Sequence, residues 1–219
     1  MARNKGSRKQ KGAKVFVIIV DGQTEVLYFK LMQSNERYLS PRISIQPKLP
    51  KRRKLKEQYE EVVAYLEQKI YETVIWLLDF DTIIKEDKEK KKGQKSAIQE
   101  FKEYKQKLER YNTKEKRKVE VLVNTPCLEF WHLLHFEQTG KYYPQCIAAT
   151  KALKAHLPNY EKTRNYYLKQ DNDLYKRLKP YQNTAILNAE KLGDLDFDNP
   201  QTATAEIYKI FNILAFSKT

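Results

Sequence analysis

Cysteine and long apolar runs are both scarce in this 219-residue sequence. Cys127 and Cys146 are the only cysteines, with neither a CxxC pair nor a zinc-ligand spacing, so we expect two free thiols and no structural zinc. No apolar run reaches the roughly 20 residues of a membrane span. The basic amino-terminal residues lack the apolar core of a signal peptide, and VFVIIV (15–20) runs into Asp21. These absences predict a cytoplasmic protein that does not enter a membrane.

Positive charge, by contrast, is abundant and clustered. The chain carries 42 Lys and Arg against 28 Asp and Glu, and the excess lies in the runs 1–14, 48–56, 85–95 and 114–118. Any one such run is typical of a solvated loop or tail, but four runs and a net charge of +14 favour a polyanion, nucleic acid above all. We expect its contacts at Lys51, Arg52, Arg53, Lys54, Lys91 and Lys92.

Short apolar runs alternate with helical patterns over residues 15–140. Strands are predicted at 15–20, 42–46, 74–78 and 119–123, and helices from about Thr24, over 55–71, from a Ser96 cap to Tyr111, and over 128–136. The charged segment 82–95 is predicted to be a mobile loop. Continuous β-branched strands that alternate with helices indicate an α/β fold with a mostly parallel sheet flanked by helices.

The pattern changes after residue 140. Helices are predicted around 146–156, 160–169, 172–192 and 202–215, with Pro180 and the Asn199-Pro200 pair at helix starts. The predicted organisation is therefore a disordered basic tail (1–14), an α/β domain (15–140) and a helical extension packed on it (141–219).

Acidic and amide side chains follow three of the predicted strands. Asp21 follows the first strand, Asp79 and Asp81 follow the third, and Asn124 follows the fourth, with Glu129 just inside the next helix. Because ligands of parallel α/β sheets bind beyond the carboxyl ends of the strands, we expect these groups to lie together. Paired carboxylates repel each other unless a cation lies between them, and Mg²⁺ prefers oxygen ligands. The pattern predicts a site for Mg²⁺ (or Mn²⁺) on Asp21, Asp79 and Asp81.

Each of these acids also has a structural interpretation. A lone Asp-x-Asp pair often forms a turn or a helix cap, although the acid after the first strand and the neighbouring Gly22 favour a metal site. Glu25 and Glu129 lie in the first turns of predicted helices, where the helix dipole favours an acid, so structural and catalytic roles both stay open. His132 and His135 are candidates for proton transfer. The alternative is that they occupy positions in the core.

Three blocks of the sequence carry a family resemblance: VFVIIVDGQTEVLYFKLM (15–32), VIWLLDFD (74–81) and VLVNTPCLEFWHLLHF (121–136). Together they resemble the RloB-like family of bacterial defence proteins, which is similar to the toprim domains of topoisomerases, primases and OLD-family nucleases. The third block, Asn-x-Pro-Cys-x-Glu-x-Trp followed by Leu-Leu-His-Phe, is the most specific. Asn188-Ala189 and Asn199-Pro200-x-Thr202 are weakly similar, so the resemblance covers most of the chain after residue 14.

The resemblance implies a toprim-like fold and site. The acid of the first strand falls on Asp21, where the family usually has glutamate, and the DxD pair that would hold Mg²⁺ falls on Asp79 and Asp81. Glu129 would be a further metal or supporting ligand. Phe80 stands where relatives often have a polar or basic residue. The resemblance also implies a role in antiphage defence by abortive infection and a neighbouring ATPase or other regulatory protein.

These observations lead to a metal-dependent nuclease with Asp21, Glu25, Asp79, Asp81 and Glu129 as catalytic candidates. RNA, including tRNA, is slightly favoured over DNA, by analogy with other effectors. The alternative is a toprim-like module that grips nucleic acid or a protein partner without cutting, which the shorter Asp21 favours. A nucleotidyl-transferring enzyme would need nucleotide-pocket features that the sequence lacks.

Overall fold

Strands and helices alternate through the first half of the chain in a computed structural model that describes residues 15–39, 42–48, 53–114, 116 and 118–216. The elements of this half are β1 (Phe16–Ile19), α1 (Gln23–Asn35), β2 (Ile43–Gln46), α2 (Leu55–Gln68), β3 (Thr73–Asp79), α3 (Phe80–Glu89), α4 (Ala97–Glu109), β4 (Val119–Thr125) and α5 (Leu128–Leu134). The predicted tail 1–14 and the predicted contacts Lys51 and Arg52 lie outside the described residues.

Short helices dominate the second half of the described chain. They are α6 (Cys146–Leu153), α7 (Arg164–Tyr167), α8 (Leu174–Leu178), a 3₁₀ turn (Lys179–Tyr181), α9 (Gln182–Glu190) and α10 (Tyr208–Phe216). One two-residue strand, β5 (Thr204–Ala205), interrupts them. Within the described ranges, none of these helices has the length and apolar character that crossing a bilayer requires.

The five strands form one sheet in the order β2-β1-β3-β4-β5. The first four strands are parallel, and β5 pairs with the end of β4 in the antiparallel sense. The carboxyl ends of the parallel strands therefore meet at one edge, where Asp79 of β3 lies directly beside Asn124 of β4. The predicted α/β class with a mostly parallel, helix-flanked sheet is confirmed.

Alternation along the strands divides the core between the two faces of the sheet. One face carries Ile18, Val20, Ile75, Leu77 and Leu122 and packs with residues of α1, α5 and the later helices. The other face carries Val17, Ile19, Trp76, Leu78 and Val121 and packs with residues of α2, α3 and α4. By the same alternation, Asp79 and Asn124 belong to the face that α1 and α5 cover.

The helix predicted around 160–169 covers only Arg164–Tyr167, the segment 172–192 is divided among α8, the 3₁₀ turn and α9, and no helix starts at Asn199-Pro200. Two further predictions are wrong for clear physical reasons. Residues 80–89 form α3 rather than a mobile loop, because Phe80 and Ile83 bury apolar side chains under the sheet. A helix predicted over 202–215 begins only at Tyr208, because Thr204 and Ala205 extend to pair with β4. The predicted Ser96 cap is confirmed, since its hydroxyl accepts a hydrogen bond from the backbone N–H of Gln99.

Candidate functional site

Four acidic side chains from separate elements meet at the carboxyl edge of the sheet. Glu25 lies in the first turn of α1, Asp79 ends β3, Asp81 lies in the first turn of α3, and Glu129 lies in the first turn of α5. The charges of the other three act directly on the Asp79 carboxyl. We call these four residues, together with Lys162, the acidic cluster.

Glu25 owes its position to Gly22. Gly22 is the N-cap of α1 and allows the Glu25 carboxylate to fold back over the start of the helix. A Cβ at position 22 would lie 2.1 Å from Oε2 of Glu25, so any other residue would displace the carboxylate. The Glu25 carboxylate also accepts hydrogen bonds from its own backbone N–H and from the hydroxyl of Thr24, at 3.2 Å.

Asn124 places an amide beside Asp79. It is completely buried, and neither its oxygen nor its nitrogen has a hydrogen-bond partner among the described residues. A buried amide without partners costs roughly 1–3 kcal/mol. Asn124 and Asp79 are neighbours on the same face of the sheet. A ligand that bonds to the Asn124 amide at this position would remove the cost and would itself be stabilised.

Asp81 connects the cluster to α6. Its carboxylate accepts a hydrogen bond from the backbone N–H of Cys146, the first residue of α6. Its own backbone N–H donates to the carbonyl of Pro126 at 3.3 Å. Asp81 therefore acts as a cap for α6 as well as being a member of the cluster.

Glu129 is the most enclosed of the acids, and it pairs with Lys162. The Glu129 side chain is fully buried, while the Lys162 side chain is 43% exposed. Nζ of Lys162 lies 2.8 Å from Oε2 of Glu129, and the hydroxyl of Tyr160 donates to Oε1 at 2.9 Å. Lys162 thus brings one positive charge to the cluster from the solvent side.

Burial is the main cause of shifted pKa values in the cluster. Burial and the charge of Glu129 raise the pKa of Glu25 to about 7. Burial, then Glu25, Asp81 and Glu129, raise the pKa of Asp79 well above its ordinary value, and burial raises the pKa of Asp81. Burial lowers the pKa of Lys162, but the neighbouring carboxylates outweigh it and the net change is upward. The cluster therefore carries more negative charge than Lys162 can neutralise without protonation.

A buried chain of hydroxyls leads from Glu129 to His132. The hydroxyls of Tyr160 and Tyr167 lie 2.8 Å apart, and the Tyr167 hydroxyl lies 3.4 Å from Nε2 of His132. Burial lowers the pKa of His132 well below its usual range, so its imidazole is neutral. His132 reaches the cluster only through the two tyrosines, and its predicted role in proton transfer stays a prediction.

His135, the other histidine considered for proton transfer, is not part of this chain of hydroxyls. It is buried, its Nδ1 donates to the carbonyl of Trp131 at 3.0 Å, and burial lowers its pKa to about 4. Its ring packs against the Trp131 ring with centroids 4.8 Å apart. These contacts are those of a core residue.

Asp21 and Arg53 interact with each other beside the cluster. Burial lowers the pKa of Arg53, and the charge of Asp21 opposes that change. The Arg53 guanidinium donates to the carbonyl of Val20 at 2.7 Å and pairs with Glu61. The prediction that Arg53 contacts nucleic acid stays a prediction, and the Arg53 side chain is buried and bonded to the end of β1. The prediction that Asp21 binds the same metal ion as Asp79 and Asp81 stays a prediction.

The remaining predicted nucleic-acid contacts lie on the α2–α4 side of the sheet. Lys54 is the exposed N-cap of α2, and Lys91 and Lys92 are exposed in the turn after α3. A groove of about 760 Å³ on this side is lined by Arg53, Lys54, Lys90 and Lys95 and equally by Glu57, Glu86, Glu89 and Glu100. The balance of charge gives this groove little attraction for a polyanion.

The expectation of two free thiols is wrong, because Cys127 and Cys146 form a disulfide. Cys127 is the N-cap of α5 and Cys146 opens α6, and the fold packs these two helix starts together around Glu129. The sulfur atoms lie 3.1 Å and 2.9 Å from Oε2 of Glu129. The cysteines are 19 positions apart, a spacing that carried no signal in the sequence.

The donor set fits a hard cation better than a soft one. Among the described residues, Cys127, Glu129 and Cys146 bring three potential ligand atoms within 4.8 Å of one another. The two sulfurs are bonded to each other, so they are not thiolate ligands. The carboxylates of Glu25, Asp79 and Asp81 and the amide oxygen of Asn124 are the oxygen donors that Mg²⁺ and Mn²⁺ prefer. Their raised pKa values and the orphaned amide are the features that a bound cation would relieve.

Sequence reasoning missed Lys162 and Tyr160. Both lie in the connection between α6 and α7, at positions that the sequence analysis assigned to a helix around 160–169, and neither follows a strand. Lys162 is one of 42 basic residues and lies outside all four basic runs, so charge clustering did not distinguish it.

The fold and this cluster define a class: an α/β protein with acidic side chains at the carboxyl edge of a parallel sheet. A family model described as RloB-like protein matches residues 16–214. The chain therefore belongs to the RloB-like family, as the motifs around Asp21, Asp79 and Asn124 predicted. No curated protein and no solved structure matches it.

Proposed function

We propose that this protein is a Mg²⁺-dependent nuclease whose active site is the acidic cluster. The observation that carries the proposal is the convergence of Glu25, Asp79, Asp81 and Glu129 at one sheet edge, where burial raises the pKa values of Glu25, Asp79 and Asp81. Such concentrations of perturbed carboxyls are characteristic of functional sites. Family membership supports the proposal through the likeness of RloB-like proteins to toprim nucleases.

Asp79 and the Asn124 amide would hold the cation, with Asp81 beside them, which leaves the Glu25 carboxylate free of the metal. Bound Mg²⁺ would stabilise charge on a phosphate oxygen of the substrate. Lys162 is the cationic side chain that faces both the cluster and solvent, so it would contact the scissile phosphate and stabilise negative charge there. Glu129 orients Lys162 through their ion pair, and Tyr160 orients Glu129 through its hydrogen bond.

Glu25 is suited to accept a proton from the attacking water. A general base works best when its pKa lies near the working pH, and burial places the pKa of Glu25 at about 7. Asp21, which the sequence analysis placed among the metal ligands, acts through its charge on Arg53. The proposal therefore assigns the base to Glu25 and leaves Asp21 to support the turn after β1.

RNA, with tRNA included, is the favoured substrate class, and the proposed role is that of a toxic effector in antiphage defence by abortive infection. An ATPase or another regulatory protein is the proposed partner. The proposed location is the cytoplasm. These parts of the proposal rest on the family resemblance.

A second candidate function is a nucleic-acid-binding or partner-binding module that does not cut. The Glu129–Lys162 ion pair favours it, because that pair neutralises part of the cluster without a metal. This function requires salt-sensitive binding that is indifferent to Mg²⁺.

Cleavage assays with Asp79→Asn separate the two functions. Wild-type protein is incubated with tRNA, mRNA, single-stranded DNA and duplex DNA in Mg²⁺, in Mn²⁺ and in EDTA. We expect cleavage only with metal, and a loss of at least about 100-fold in Asp79→Asn, because that change removes a charge at the reacting centre.

Asp171→Asn is the matched control. Asp171 is exposed and has a backbone φ of 61°, which asparagine tolerates well. This variant should cut like the wild type. Cleavage by Asp79→Asn at the wild-type rate, or cleavage that survives EDTA, would refute the nuclease assignment.

A further inference from the structure

A groove along α6 opens directly onto the acidic cluster. It encloses about 540 Å³ and is lined by Cys146, Ile147, Thr150, Lys151, Lys154, Tyr160, Glu161 and Lys162. Cys146, Tyr160 and Lys162 belong to both places, because each contacts Glu129. Whatever lies in this groove therefore continues into the proposed active site.

One face of α6 supplies the charge of the groove. Ile147, Lys151 and Lys154 are spaced four and three residues apart, which places them in one line on the helix surface over about 10 Å. Lys151 and Lys154 are exposed, and no acidic side chain of the described ranges pairs with either. The acid of the lining, Glu161, is exposed and accepts a hydrogen bond from Thr163 at 3.4 Å. The lysines therefore leave a surplus of positive charge.

Ile147 gives the groove an apolar floor. Its side chain is 79% exposed, the most exposed large apolar side chain of the described residues. It lies next to Cys146 at the cluster end, with the two lysines beyond it. An apolar contact flanked by cations is complementary to a nucleobase face between phosphates. Bases in a duplex are stacked inside and do not offer such a face, whereas an unpaired strand does.

We propose that the α6 groove binds an unpaired nucleic-acid strand next to the phosphate that the cluster would cut. Lys151 and Lys154 contact successive backbone phosphates, and Ile147 packs against one unstacked base. The alignment of a phosphate with the cluster rests on the proposed function. The binding of the strand in the groove does not depend on it. It also sets this groove apart from the α2–α4 groove, where lysines and glutamates balance.

Binding without cutting tests the groove. In the Asp79→Asn background, fluorescence anisotropy compares a labelled mixed-sequence RNA strand, the same sequence as single-stranded DNA, and a DNA duplex at several salt concentrations. Lys151→Ala/Lys154→Ala should weaken both single strands at least about 10-fold and lower the salt slope by roughly 0.7 for each lost contact. Ile147→Ser should weaken both single strands without changing that slope.

The control is Lys30→Ala/Lys107→Ala, which removes two exposed lysines of α1 and α4 that lie outside the groove and outside the four basic runs. Melting temperatures check that all variants fold. Equal losses in the groove and control variants, no effect of Ile147→Ser, preference for the duplex, or no binding of single strands would each overturn the proposal.

Cleavage by the wild-type protein is scored separately. Groove-dependent binding without any cutting refutes the nuclease and keeps the groove. If the wild-type protein cuts, but Lys151→Ala/Lys154→Ala in the Asp79→Asn background binds single strands as well as Asp79→Asn alone, the groove is refuted and the nuclease is kept.

Discussion

Lys162 shows how much of the site depends on a single side chain. It supplies a positive charge to the carboxyls of Glu25, Asp79 and Asp81, whose pKa values are raised. Burial lowers the pKa of Lys162 itself, but the charges of Glu129, Asp79 and Glu25 outweigh burial and raise it. Its ammonium is held by the fully buried Glu129, while its stem remains partly exposed. A lysine in this position can remain with the cluster or turn to a phosphate outside it.

Glu25 should make stability depend on pH in metal-free buffer. Because its pKa is raised to about 7, the folded protein keeps a proton that the unfolded chain loses near pH 4.5. This contribution is fully present below about pH 4.5 and is lost as the pH rises through about 7, with a magnitude on the order of 3 kcal/mol. Urea denaturation in EDTA at pH 5, 6, 7 and 8 should show the fall.

Glu25→Gln should flatten that fall, and Glu109→Gln, at the exposed end of α4, should leave it unchanged. Part of the slope will persist because the pKa of Asp79 is raised in the same direction. Adding Mg²⁺ should stabilise the wild type more at pH 8 than at pH 6. Identical slopes in the wild type and Glu25→Gln would show that the residue titrates normally.

At the scale of elements, the packing of α6 depends on a residue from another helix. Gln145, its N-cap, makes no side-chain hydrogen bond, and the backbone N–H of Cys146 is satisfied by Asp81 from α3. This contact fixes the start of α6, and with it the groove, to the acidic cluster.

Asp81→Ala should therefore lower the free energy of unfolding by about 1 kcal/mol relative to Asp81→Asn. Both variants remove the charge, so both relieve repulsion in the cluster, but only asparagine keeps an oxygen that can accept the Cys146 N–H. Urea denaturation of the two proteins measures the difference. Equal stabilities would mean that Asp81 does not cap α6.

The elements that were predicted well are those with strong local signals. The strands at 15–20, 74–78 and 119–123 are continuous apolar runs, and the structure places all three in the sheet. Helix α3 was missed because its charged face dominates its sequence and only Phe80 and Ile83 mark the buried side. β5 has two residues, too few for a pattern, and exists only through its pairing with β4.

At the scale of the molecule, the disulfide is the covalent link between the two halves of the chain. It joins the start of α5, which packs on the sheet, to α6 and the groove. A cross-link of this loop length stabilises a fold by about 3 kcal/mol in the chain-entropy model.

Reduction should accordingly lower the stability of the wild type. Urea denaturation with and without a dithiol reductant should differ by about 3 kcal/mol, and Cys127→Ser should remove the difference. Alkylation under denaturing conditions followed by mass spectrometry counts the free thiols. Two alkylated cysteines in unreduced protein would show that the bond does not form.

The site was predictable only where its residues follow strands. Asp79 and Asp81 were found because a buried strand ended on them, and Glu25 and Glu129 because they open helices beside such strands. Lys162 and Tyr160 come from a connection whose position is set by tertiary packing and the disulfide. No local rule relates residue 162 to residue 25.

The scattered origin of the site has a consequence for the timing of its formation during translation. Ribosomes extend a chain by roughly 5–20 residues each second, so Lys162 is added roughly 7–27 s after Glu25. Until then a nascent chain holds acidic side chains but lacks Lys162, their cationic partner. We expect prematurely terminated products that end before Lys162 to lack a complete site, so only a polypeptide that extends past Lys162 would be competent.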